Sequence, residues 1–226
     1  MADFAGFPPQ TQKFLKGLSK NNNKEWFDAH RSDYDDYWLA PAKAFVEAAG
    51  EALQDLAPVE AQPKVNGSIF RVNRDVRFSA DKRPYKDHLD FWFWEGERKT
   101  AVSGFFLRIT PSEVGIGVGA HGFDKDRLAA YRNAVVDAKG GAALKKAVAA
   151  MAKAKVDVKG EHYKTLPRGF ETDDDFERRL LRYNALWTGE DVAAPASLNS
   201  KRFVSWAMTR WTKQAPLHRW LVDHLQ

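Results

Sequence analysis

The chain has 226 residues and carries 35 lysines and arginines against 30 aspartates and glutamates, a formal net charge of +5. A hydrophobic share of 44% with 29% charged residues excludes disorder and describes a folded globular chain. The absence of cysteine excludes disulfides, thiolate-ligated zinc and cysteine nucleophiles, and fits a reducing compartment.

The excess of five positive charges permits an anionic partner without demanding one. The opening MADFAGFPPQ has neither the basic nor the apolar region of a signal peptide. No apolar run approaches the roughly 20 residues of a membrane span. The expectation is a cytoplasmic protein with no membrane partner. No long Ser/Gly/Pro linker divides the chain, so one domain is read over residues 1–226. It is helical at 8–57, β-rich at 65–121, and helical again at 124–226 with an irregular segment at 155–200.

In chain order, prolines open a first helix bearing Phe14, Leu15 and Leu18 on one face. Asn22 with Glu25 three residues on predicts a capping box and a second helix. Pro41 predicts the first turn of a third, with Phe45, Ala49 and Leu53 as its stripe. Ile69 to Phe78 reads as a strand with Phe70, Val72, Val76 and Phe78 on one face. HLDFWFW (88–94), AVSGFFLRIT (101–110) and EVGIGVGAH (113–121) follow, separated by short polar turns, and predict an antiparallel meander. The alternating glycines of the last strand bare one face for a close-packed helix or a ligand.

Asp124 predicts the start of another helix, stopped by Gly140 and Gly141, and an alanine-rich helix follows with Leu144, Val148 and Met151 as its seam. Asn199 predicts the cap of a helix carrying Phe203, Trp206 and Trp211, and Pro216 the restart of a last one. The fold class is therefore α+β: an antiparallel meander in the middle of the chain, packed by N- and C-terminal helices.

The stretch RVNRDVRFSADKRPYKDH, Arg71 to His88, holds six basic residues, three aspartates and one histidine. On a straight strand Arg71 and Arg77 lie about 20 Å apart, so they share one phosphate only if the chain bends, while Asp75 and Arg77 are about 6.6 Å apart and can pair. Arg74, pointing to the apolar side, requires a partner. The expected anion contacts are Arg74, Arg77, Lys82 and Lys86, with Tyr85 shaping the wall and Asp75 orienting an arginine. Asp75, Asp81 and His88 are the candidates for proton transfer. Three readings stand side by side: an internal salt-bridge network, a site for an anionic small molecule such as a nucleotide or phosphorylated metabolite, and a catalytic centre for a phosphate ester.

Other motifs are weaker. None of the six histidines forms a close ligand pair, so no metal is assigned, and no cofactor is indicated. GIGVGAHGF lies in an alternating strand pattern, not at a strand-to-helix turn, and fails as a dinucleotide loop. The rings of FWFW beside basic loops suggest nucleic acid, but core packing explains them better.

The box RDVRFSADKRPYK resembles the hallmark of a family of conserved hypothetical proteins, the domain of unknown function 2461. FLKGLSKNNNKEWFDAHRSDY, GIGVGAHGFDKDRLAAYR and LPRGFETDDDFERRLLRYNALW are similar to it as well, so the resemblance covers roughly residues 4–222. It places Asn22, Trp26, Phe27, Tyr34, Arg74, Asp75, Arg77, Phe78, Asp81, Lys82, Pro84, Tyr85, Lys86, Arg132, Arg168, Gly169 and Phe170 at family positions. Because the family carries no established activity, the resemblance implies a fold and a location, not a reaction.

Overall fold

The computed structural model describes residues 3–226. Helix α1 (Pro9–Lys20) starts where Pro9 loses nothing, since the first-turn amides have no intrahelical partner. Its Phe14, Leu15 and Leu18 are buried. Helix α2 (Lys24–Ala29) is capped by Asn23, whose side chain accepts from the Trp26 amide, and not by Asn22. A short turn, α3 (Arg31–Asp33), widens into π-helical Tyr34–Leu39 before α4 (Ala40–Leu53). Pro41 has no amide hydrogen for the Tyr37 carbonyl one turn back, and the Thr11 hydroxyl donates to that carbonyl instead.

The sheet has six strands: β1 (Val59–Glu60), β2 (Leu89–Glu95), β3 (Gly104–Ile109), β4 (Glu113–Ala120), β5 (Lys159–Glu161) and β6 (Tyr183–Ala193). Its order is β1-β2-β3-β4-β6-β5, and the fold is α+β with an antiparallel sheet in the middle of the chain. The meander β2-β3-β4 is the one read from the sequence. Strand β6 lies within the segment read as irregular; its Asn184, Gly189 and Asp191 break the alternation that would have marked it. Antiparallel β5 meets it in the register Lys159↔Trp187 and Glu161↔Tyr183, with a bulge between.

The described residues form two compact units. The first comprises the chain up to Phe93, Phe106–Ile116 and Glu190–Thr209. Its core is aromatic: Phe7 packs against Phe45, Phe91 and Phe203 at centroid separations of 5.5, 6.0 and 5.8 Å.

The second unit comprises Trp94–Phe105, Gly117–Gly189 and Arg210–Gln226. Tyr131, Leu144, Met151, Leu180, Leu181, Leu217, Trp220 and Leu221 are buried together there. Helix α5 (Lys125–Val136) is capped by Asp124, as the sequence predicts. Gly140 and Gly141 do not end a helix: Asp137 caps α6 (Ala138–Lys153) and accepts from the Lys139 and Gly140 amides, so the glycines occupy its first turn. Helix α7 (Asp175–Leu180) precedes β6. Helix α8 (Arg202–Leu225) runs through Pro216 without restarting, and Asn199 donates its amide to the Phe7 carbonyl in place of capping it.

Gly117 and Gly119 of β4 admit backbone, not a helix or a ligand, while Gly115 faces the Asp191 carboxylate. A Cβ on Gly117 would stand 2.5 Å from the Thr188 carbonyl oxygen, and one on Gly119 (φ +126°) would stand 2.4 Å from that of Leu186. The close neighbour is β6.

Candidate functional site

The segment expected as a strand from Ile69 to Phe78 is mostly irregular, with isolated bridges at Ile69↔Phe91 and Asn73↔Tyr85. The Arg74 amide donates to the Pro84 carbonyl and the Lys86 amide to that of Val72. Residues 72–74 and 84–86 thus clasp one another, and 75–83 project as a loop. The shared apolar face does not form: Val72 is buried, whereas Phe78 at the loop tip is 95% exposed.

The clasp is anchored to the N-terminal helices. The Asn22 side chain donates to the Tyr85 carbonyl and accepts from the Tyr85 amide, both at 2.9 Å. It acts as a one-residue strand, which is why it does not cap α2. Tyr85 is buried and its ring stacks on Phe27 at 4.3 Å. Tyr85 is therefore an anchor, not the wall of a pocket.

Within the loop the aspartates take up arginines. Asp75 receives Arg77 Nε and Nη2 at 2.9 and 2.6 Å. Asp81 receives Arg83 Nη2 at 2.8 Å and Arg74 Nη1 at 2.8 Å. Arg74 also donates to the Arg83 carbonyl and lies within reach of the Ser79 hydroxyl, so its charge staples the two arms of the loop. Lys82 Nζ donates to the Val76 carbonyl at 3.0 Å and has no carboxylate partner among the described residues. Lys86 stands 3.6 Å from Asp90 Oδ2 and 5.0 Å from the Phe70 ring centroid.

The deepest charge near the box is Asp90, a residue outside the candidate set. Its side chain is 5% exposed and receives Arg108 Nε at 2.6 Å, with His88 Nε2 at 3.3 Å. The other nitrogen of His88 lies 3.1 Å from Asp87 Oδ1. Both ring nitrogens of His88 thus meet carboxylates. Asp90 lies inside the apolar run HLDFWFW, and Arg108 follows two phenylalanines in β3; only their pairing across the sheet reveals them as partners. Three of the FWFW rings are core: Phe91, Phe93 and Trp94 are buried, and Trp92 is half-buried.

The electrostatics follow from these contacts. The hydrogen bonds from Arg77 hold Asp75 below the usual carboxylate range, and those from Arg83 hold Asp81 lower still. Burial pushes Asp90 up, but hydrogen bonds from His88 and Arg108 and their charges outweigh it and bring it down to about 2. A carboxylate held this low is a weak base near neutral pH. The loop leaves Arg71, Lys82, Arg83, the outer edge of Arg77 and Phe78 toward solvent, with Asp75 exposed among them. The guanidinium of Arg77 lies 5.8 Å from the Phe78 ring centroid. Arg71 is close enough for its charge to lower Asp75 further.

Sequence reading also missed a cavity of about 440 Å3 lined by Lys13, Trp26, His30, Asp33 and Tyr37. His30 stacks on Trp26 at 3.9 Å and hydrogen-bonds the Trp26 carbonyl. The four-residue spacing of these two rings, Trp26 on α2 and His30 at its C-cap, was the available signal.

Among the described residues, no group of three or more His, Cys, Asp or Glu side chains is arranged to hold a metal ion, and no helix is long and apolar enough to cross a membrane. Comparison with curated proteins and with solved structures returns no match. Residues 10–220 match the family model described as conserved hypothetical protein DUF2461, and the chain belongs to that family.

Proposed function

We propose that the protein binds an anionic small molecule, a nucleotide or phosphorylated metabolite, on the outer rim of the 71–88 loop. The observation that carries this reading is the exposure of Phe78, 95%, in a segment whose six cations outnumber its three aspartates. A large ring held in water at the tip of a pinned loop contributes nothing to the core. It offers a face for a base, and the cations beside it suit phosphate. Arg71, Arg77 and Lys82 take the phosphate groups and Phe78 takes the base. Arg74, Tyr85 and Lys86 hold the frame, because their polar groups are already engaged within it.

Isothermal titration with ATP and with inorganic triphosphate tests the reading. Phe78→Ala should leave thermal stability unchanged and remove about 1–3 kcal/mol of ATP affinity, roughly a fivefold to hundredfold rise in Kd. An equal loss of ATP and triphosphate affinity in Phe78→Ala, or an unchanged ATP affinity in that variant, overturns it. So does clear preference for a single-stranded oligonucleotide over the mononucleotide.

A further inference from the structure

A second cationic site lies in the second unit, mostly within the stretch LPRGFETDDDFERRLLRYNALW, to which the sequence reading assigned no role. A cavity of about 540 Å3 is lined by Lys164, Thr165, Asp175, Arg178, Arg179 and Arg182, with Leu166 as its apolar contribution. Four cations thus face one carboxylate. The contrast with the 71–88 loop is in the pairing. There each aspartate grips an arginine; here Arg182 alone is paired, its Nη2 standing 2.9 Å from Glu161 Oε1. Lys164 and Arg178 make no ion pair among the described residues, and Arg179 lies 5.8 Å from the Phe176 ring centroid. Arg182 Nε is buried with no hydrogen-bond acceptor among the described residues.

The plain alternative is a solvated helix end. Arg178 and Arg179 sit in the last turn of α7, where a cation complements the carbonyl end of the helix. That accounts for two of the four. Lys164 comes from the preceding loop and Arg182 from the turn into β6, and helix polarity does not place either. Four like charges around one cavity repel one another, and a bound polyanion relieves that repulsion. The planar forks of three arginines match phosphate oxygens in pairs. The lining holds no aromatic ring and a single aliphatic one-residue surface, so it provides no platform for a base.

We propose that this cavity is an anion site for two or three linked phosphate groups presented without a base, the chemistry of inorganic pyrophosphate or triphosphate. The site is independent of the 71–88 loop and differs from it in lacking a ring to stack on.

Titration of the full chain with sodium pyrophosphate at 0.15 M salt tests it, beside sodium sulfate at equal ionic strength. One pyrophosphate should bind, more tightly than sulfate. Arg178→Gln/Arg179→Gln should weaken it at least about tenfold, since each guanidinium lost takes charge-assisted hydrogen bonds to phosphate oxygens with it. Phe78→Ala/Arg71→Gln should leave it unchanged, which separates this site from the loop. Amide shift mapping on the wild type should show changes at residues 164–166 and 175–182, so the proposal stays open to refutation even if the double variant folds poorly. Sulfate binding as well as pyrophosphate, an unchanged affinity in a folded double variant, or shifts confined to 71–88 overturns it.

Discussion

Asp90→Asn is the sharpest test of the charge network beneath the loop. The substitution keeps the size of the side chain and removes its charge, leaving Arg108, Lys86 and His88 around a neutral amide. Removing one partner of a buried pair destabilises by about 3–5 kcal/mol. Arg108 is 41% exposed and can turn toward water, so the lower end, about 3 kcal/mol, is expected at pH 7. The acid limb gives an independent magnitude. The Asp90 carboxyl falls from an ordinary 3.8 to about 2 in the folded protein. At about 1.4 kcal/mol per pH unit this contributes roughly 2.5 kcal/mol. Screening removes little of it, because the side chain is 5% exposed. The sign follows from a folded pKa below the unfolded one: the stabilisation is complete above about pH 4 and is lost as pH falls toward 2. Urea unfolding of wild type and variant, at pH 7 and at steps down to pH 2, measures both quantities. The gap between the two proteins should be about 3 kcal/mol at neutral pH and should shrink through the acid window, with equal m values. A gap below about 1 kcal/mol at pH 7, or parallel acid limbs, refutes the account of Asp90 as a buried charge held by His88 and Arg108.

Asn22→Ala removes both hydrogen bonds to the Tyr85 backbone and should destabilise by about 1–3 kcal/mol, with faster hydrogen exchange at Tyr85; unchanged exchange there would show that the clasp stands without Asn22. Within the second unit, His218 is buried between the Ser103 hydroxyl and Glu95, with Arg219 and Asp223 nearby. Burial lowers its pKa below the usual histidine value against the pull of Glu95. A depressed folded pKa means stability is lost as pH falls below about 6.5. Thermal midpoints from pH 8 to 5 should therefore fall more steeply for wild type than for His218→Gln, and identical slopes would show that His218 does not carry the effect.

Some of this was legible from local pattern. Phe14, Leu15 and Leu18 at helical spacing marked α1, Asp124 marked the cap of α5, and strands parted by short polar turns marked the meander. In each case the decisive interaction lies within a few residues of the signal. Other elements misled for an equally physical reason. Pro216 signals a break, yet α8 continues because Leu217, Trp220 and Leu221 are buried along one stripe and compensate the missing amide bond. Gly140 and Gly141 signal a stop, yet Asp137 caps the helix they begin.

The box illustrates the division most clearly. Its composition was enough to show that three aspartates would compete with any ligand for six cations. Sequence alone determined the fold class and the place where charge is concentrated, since these rest on periodicity and on local residue types, and its box and flanking motifs carried the family resemblance. Tertiary structure decided which aspartate holds which arginine, that Asn22 clasps Tyr85 across 63 positions, that Asp90 is the buried centre of charge and that Phe78 is left in water. Those outcomes depend on chain reversal bringing distant groups within about 3 Å, the range over which hydrogen bonds and desolvation act, and no local pattern encodes that distance.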